Sequence, residues 1–196
     1  MSLVRAITSH WLVLVFLLHF FAMMFQTQVL WPLEAMLLGP LSIYASILFI
    51  PHAVRVLASW LLGPKALFVL IPVELIITLL IFNPLETKIS IVTVISPIFA
   101  ASTAVIAFEF MKIMKINVYP AFNTKPSWRN VVFAGILSSL INSISGTLIK
   151  TASVPADETM AIIIRYLIGD ISGLLLGMLI VMLLLKKVSL GINKQS

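Results

Sequence analysis

The sequence predicts an all-α polytopic membrane protein of six transmembrane helices, with both termini on the cytoplasmic side. Three observations carry this. First, 61% of the 196 residues are hydrophobic and 10% are charged, against about 45–50% and about 25% in an average soluble domain. That leaves too little polar surface to cover a globule. Second, six stretches approach the ~20 apolar residues needed to cross ~30 Å of hydrocarbon. Third, the basic residues collect in alternate loops, as Lys and Arg do on the cytoplasmic side. The same composition excludes disorder, which needs low hydrophobicity and high charge density. The chain has no cysteine, so disulfides, Cys-ligated zinc, Fe–S clusters and thiol nucleophiles are excluded.

The first span covers 7–25. Arg5 ahead of an apolar core has the look of a secretory signal, but Phe21-Ala22-Met23-Met24-Phe25 offers no small-x-small cleavage site, so the span is expected to be retained. Gln26-Thr27-Gln28 and Pro32 mark its exit. The second span, 35–50, is interrupted by Gly39-Pro40. Residues 51–63 are too apolar for a loop and too short to span. They predict a short interfacial helix before the third span, anchored at headgroups by Trp60 and Arg55. Gly63-Pro64 then turns the chain into the third span, 65–82, which carries Pro72. The fourth, 89–111, contains Pro97; the fifth is 131–149 and the sixth 160–185. Proline in a membrane helix frees a carbonyl that neighbouring helices can satisfy. No soluble domain is expected: residues 1–196 read as one integral membrane domain.

With the N-terminus inside, the inner segments hold Arg5, Arg55, Lys65, Lys112, Lys115, Lys125, Arg129, Lys186, Lys187 and Lys194. The outer loops hold Lys88 and Lys150, and Arg165 lies within the last span. A ten-to-two bias sets the orientation. It also assigns the net charge of +6 to anionic lipid headgroups, so the bilayer is the expected partner and nucleic acid is not.

Ionisable groups at membrane depth cost about 2.5–3.5 kcal/mol each on insertion scales, so each is a candidate for function. Asp170 stands near the midplane of the sixth span, in Gly169-Asp170-Ile171-Ser172-Gly173. It reads either as a ligand, cation or proton site or as a carboxylate paired for assembly. Arg165 is turned away from it on the same helix, so its expected partner is Glu74, in the middle of the third span; snorkelling outward is the alternative. His19, mid-span in helix one, reads as a hydrogen-bonded packing residue. Glu109 and Lys112 read as a surface pair. His52 and Arg55 face one way on the short helix, for headgroup or partner contact.

Gly169, Gly173 and Gly177 recur every four residues on the sixth span, while the fifth is rich in small polar residues around Asn142. Small residues allow close approach and hydroxyls bond across the contact. The glycines are therefore expected to pack helix six on helix five, with Asn142 forming part of a polar wall beside Asp170. Catalytic motifs fail. Ser143-Ile144-Ser145-Gly146 lacks the leading glycine of a rhomboid-type nucleophile, no second intramembrane Asp supports an aspartyl protease, and neither a Walker loop nor a histidine cluster for metal occurs. An enzyme is not expected, no metal site is assigned, and no cofactor is implied.

Two resemblances go further. Phe49-Ile50-Pro51-His52-Ala53-Val54-Arg55, then Trp60-Leu61-Leu62-Gly63-Pro64-Lys65-Ala66, resembles the short-helix-then-span segment of the bacterial MASE-type integral membrane sensory module. Tyr166-Leu167-Ile168-Gly169-Asp170-Ile171-Ser172-Gly173-Leu174-Leu175 resembles the last-helix pattern of that module. Phe49 and His52 stand where the family has tryptophan and a second proline. Family members feed a cytoplasmic cyclase or kinase; only Lys186 to Ser196 follows the last span here, so the resemblance implies output through a separate partner. Six spans with Leu62-Gly63-Pro64-Lys65-Ala66-Leu67 also resemble the substrate-binding subunits of energy-coupling-factor vitamin transporters, although their small-residue docking pattern on helix one is absent. The expectation is a bacterial inner-membrane protein that binds a small ligand through Asp170, Glu74, Arg165 and Asn142 and signals through a protein partner. The alternatives are a transporter's substrate-binding component and a structural assembly subunit.

Overall fold

The computed structural model describes residues 10–39, 46–82, 90–116, 118–120, 127–149 and 159–192. Arg5, Lys88, Lys125, Lys150 and Lys194, used above for orientation, lie outside them. The described residues contain helices and no strand, and five helices are long and apolar enough to cross a membrane: Trp11–Leu38, Pro51–Ile81, Ile91–Ile113, Trp128–Ile149 and Thr159–Leu184. Large apolar side chains such as Leu18, Phe21, Phe68, Leu80, Ile91, Phe110 and Leu183 face outward, while His19, Gln26, His52, Ser138 and Asp170 are buried. Polar groups inside and apolar groups outside is the arrangement of a chain whose solvent is lipid, and the protein is a multi-pass membrane protein.

The first helix does not leave the membrane at Gln26, as the sequence suggested. Helix α1 (Trp11–Phe25) passes through a π-turn, Gln26–Leu30, into α2 (Trp31–Leu38). Pro32 has no amide proton and its ring crowds the carbonyl four residues back, so the wider turn absorbs the misfit and the helix continues. It stops at Gly39, whose φ of 82° is open to a residue without Cβ.

Within the expected second span, 35–50, residues 40–45 lie outside the described residues, and the described part is helical only as far as Leu38. Leu38 ends α2, and residues 46–50 are irregular. Among the described residues helix resumes at α3 (Pro51–Leu62), with Pro51 in its first turn where no intrahelical donor is needed. Helix α3 is enclosed by the rest of the bundle. Eight of its twelve residues are buried, His52 and Arg55 among them, and it packs against α1 and against the helices Ile91–Ile113, Trp128–Ile149 and Thr159–Ile192. Burial removes His52 and Arg55 from any contact with headgroups.

The run Pro51–Ile81 is continuous in composition but reverses in space. Arg55 Nε lies 3.4 Å from Glu74 Oε1, whereas a straight helix would hold residues that far apart in sequence about 28 Å apart. The fold-back is at Gly63, with φ 59° and ψ −145°, backbone angles that a side chain would strain. After a 3₁₀ turn, Gly63–Ala66, the returning arm is α4 (Leu67–Ile77), extended by a π-turn, Thr78–Phe82.

Ser90 opens α5 (Ile91–Ile113), its hydroxyl accepting the Thr93 amide. Helix α6 (Trp128–Ile149) and helix α7 (Thr159–Ile192) complete the bundle. Around α3 the core gathers Val56, Trp60, Ala104, Phe108, Val131, Ala134, Leu174 and Met178. One end of the bundle is fixed where Trp60 donates to the Val118 carbonyl at 2.8 Å and packs on Trp128, with ring centroids 5.3 Å apart. Tyr119 donates to Glu109 there; burial, then that bond, holds its phenol above the usual range. Glu109 also meets Lys112 at the surface, at 3.5 Å, in line with the sequence reading.

Candidate functional site: a buried charge network beside a cavity

The site begins with the irregular segment 46–50, because non-helical backbone at membrane depth must find partners inside the protein. Every amide from Ile47 to Ile50 is taken. Ile47 N and Leu48 N donate to the two Glu34 oxygens at 3.1 and 3.2 Å, Phe49 N to the Gly169 carbonyl at 2.9 Å, and Ile50 N to Gln26 Oε1 at 3.2 Å. The carbonyls are matched too. Ile47 O accepts Ser172 Oγ at 2.6 Å, and Leu48 O lies 2.9 Å from Ser46 Oγ, whose proton it shares with Glu34 Oε1. Phe49 O and Ile50 O accept the His52 and Ala53 amides. Gln26 and Glu34 were not singled out from the sequence, although polar side chains inside an apolar run were the available signal.

The glycine repeat serves this segment. A methyl on Gly169 would overlap the Ser46 carbonyl, one on Gly173 the Phe49 carbonyl, and one on Gly177 the Ala53 side chain. The stripe therefore packs α7 on residues 46–53, not on α6 as the sequence suggested. Helices α6 and α7 do meet, but through Gly135 against Leu174.

Segment 46–50 delivers α3 to the centre with two ionisable side chains. Arg55 is buried; it donates to the Ala100 carbonyl at 3.0 Å, lies 3.4 Å from Glu74 and stands 5.1 Å above the Phe49 ring. Glu74 also accepts His19 Nε2 at 2.8 Å. Glu74 thus meets Arg55 and His19, where the sequence reading assigned Arg165. Arg165 NH1 is itself buried and without a hydrogen-bond partner among the described residues. On the other side, His52 Nε2 donates to the Gly135 carbonyl at 3.2 Å, and His52 Nδ1 lies 3.6 Å from Asp170 Oδ2. Asn142 Nδ2 donates to the same oxygen at 3.0 Å. Asp170 Oδ1 is buried and has no hydrogen-bond partner among the described residues.

A cavity of about 640 Å³ opens beside this network. Arg55, Glu74 and Asn142 contribute to its wall, together with aromatic residues Trp31, Phe49, Phe99 and Tyr166 and hydroxyls Thr27, Thr93, Ser96 and Ser145. Of the four residues expected to bind ligand, Glu74 and Asn142 line the cavity. Asp170 stands behind Asn142, and Arg165 does not contribute to the lining. The residue that sequence reasoning sent elsewhere, Arg55, is in the wall instead. Among the described residues no cluster of His, Asp and Glu could hold a metal ion. No protein-family model, curated protein or solved structure matches the chain.

Proposed function

We propose that this chain crosses the bacterial inner membrane six times, binds a small molecule in the cavity, and passes its occupancy to a separate protein partner. The observation that carries the reading is a cavity of about 640 Å³ with Arg55 and Glu74 in its wall. That volume is in the range of small-molecule sites, which combine an aromatic lining with a few placed polar groups. Charges buried at membrane depth are costly, and they concentrate on ligand and ion pathways.

The sixth crossing is residues 46–62. The irregular residues 46–50 and a twelve-residue helix reach together at most about 34 Å, comparable with the hydrocarbon layer. Moving Arg55 into the protein leaves nine basic residues on the inner side against Lys88 and Lys150 outside, and this bias still supports an inside N-terminus. The cavity then lies toward the outer half, and the Trp60–Trp128 end faces the cytoplasm, where a partner docks.

The sensory reading draws on the resemblance to MASE-type modules. The two sequence pieces that carry it touch each other, through Phe49 N and Gly169 O and through His52 and Asp170. A second reading, the substrate-binding component of a transporter, is favoured by the broken crossing at 46–62, since transporters build substrate sites around discontinuous helices.

The test is native mass spectrometry of the detergent-purified chain, alongside Ser145→Phe, which fills the cavity and leaves the charge network in place. The expected result is a small molecule retained by the wild type and lost from the folded variant. An empty wild type, or equal retention by both, overturns the proposal.

A further inference from the structure

The hydrogen bonds around His52 and Asp170 do not close without one more proton. His52 Nε2 faces the Gly135 carbonyl at 3.2 Å, and a carbonyl only accepts, so Nε2 carries a hydrogen. A neutral ring then has a bare lone pair on Nδ1. Asp170 Oδ2, itself an acceptor, lies 3.6 Å from that nitrogen. The carboxyl group is also short of donors. Two buried oxygens offer about four acceptor positions when ionised, yet Asn142 Nδ2 is the hydrogen-bond donor to Oδ2 and Oδ1 has no hydrogen-bond partner among the described residues. One proton on the line between Nδ1 and Oδ2 turns a repulsive contact into a hydrogen bond.

Among the described residues no Lys or Arg is ion-paired with Asp170, whose one charge contact is His52. On the same helix, Arg55 is turned to Glu74, which His19 also engages. Glu34 is used by the amides of residues 47 and 48. Helices α5 and α6 carry Glu109, Lys112 and Arg129 toward the Trp60 end, and face the pair with the Gly135 carbonyl and Asn142. On α7, Arg165 lies five residues before Asp170.

We infer that His52 and Asp170 together form a proton-binding site behind the cavity wall, coupled to the cavity through Asn142. Asn142 lines the cavity while donating to Asp170, so a molecule that takes its amide changes the pair's hold on the proton. The proton comes from water in the cavity and returns there; no other bond is made or broken. This deepens the ligand-binding reading, and its test uses protons alone.

The experiment is ring-nitrogen NMR of the full chain in detergent with ¹⁵N-labelled histidine. The sequence has three histidines, and loss of signal in His52→Gln assigns the one of interest. The expected spectrum has a pH range in which His52 Nδ1 is protonated or hydrogen-bonded, with the proton lost in one step as the pH rises. Asn142→Leu moves the midpoint of that step by about one pH unit, the worth of one hydrogen bond to a charged group. A bare Nδ1 across the whole pH range overturns the proton site, and an unmoved midpoint in Asn142→Leu overturns the coupling. If Asn142→Leu does not fold, Asn142→Asp, which replaces the donating amide with a carboxyl, reads the same midpoint. An empty cavity with a titrating His52 sinks the ligand reading and leaves the proton site standing.

Discussion

Glu74 shows what a single buried carboxylate decides. Arg55 and His19 both reach it, so removing its charge strands a guanidinium in a low-dielectric interior. Breaking one side of a buried ion pair costs about 3–5 kcal/mol, whereas replacing both sides with apolar groups of like size is far milder. Glu74→Gln is therefore expected to lower the thermal unfolding temperature in detergent sharply. The double variant Arg55→Met with Glu74→Leu should recover much of the loss. A double-mutant cycle over these positions checks this; purely additive losses would show that the two side chains do not depend on each other. The sequence marked Glu74 and Asp170 because charge at membrane depth is expensive. It could not name their partners, since helical periodicity fixes a residue's face and not the helix opposite that face.

At the scale of elements, segment 46–50 and the α7 glycines form a single device. The close approach leaves no room for a methyl at Gly173, whose neighbour is the Phe49 carbonyl, part of the backbone and unable to swing aside. Gly173→Ala should cost at least about 1–3 kcal/mol, as overpacking does. Gly146 lies on α6 with open space around it, so Gly146→Ala should be neutral or stabilise by up to about 1 kcal/mol, the helix preference for alanine over glycine. Thermal melts of the two variants separate packing from propensity, and equal effects would contradict the placement of the segment. Glu34→Gln keeps the shape but loses one of the two acceptors used by Ile47 and Leu48. It should cost about 1–3 kcal/mol, seen as faster hydrogen exchange at those two amides. Here the four-residue glycine spacing was legible and its meaning was not: the stripe said that something approaches closely, and the approaching element is an irregular segment of chain.

For the molecule as a whole, the ends of the bundle can be tested directly, because the chain has no cysteine and a single one can be introduced at will. Ser90, Lys65 and Lys115 are exposed. With six crossings, a membrane-impermeant thiol reagent added to spheroplasts should label Ser90→Cys from outside, and should reach Lys65→Cys and Lys115→Cys only after the membrane is opened. Labelling Lys65→Cys and Ser90→Cys from the same side would remove residues 67–82 as a crossing and with it the count of six. The same labelling, repeated with a reconstituted partner, would map what docks at the Trp60 end.

Composition and hydropathy by themselves determined the solvent. With this much apolar surface and so few charges, lipid is the surrounding medium, and the helices 91–113, 128–149 and 159–184 follow from length and hydropathy because each is a local, self-satisfying unit. The irregular part of the chain was decided only by tertiary structure. Whether residues 46–50 could leave the helical state depended on Glu34, Gln26, Ser172 and the Gly169 carbonyl being near enough to satisfy an irregular backbone. Whether Arg55 met headgroups or Glu74 depended on a reversal at Gly63. Hydropathy sums over neighbours in sequence, while hydrogen bonds and ion pairs at membrane depth are settled by neighbours in space. That is why the last three helices were readable from sequence and the composition of the site was not.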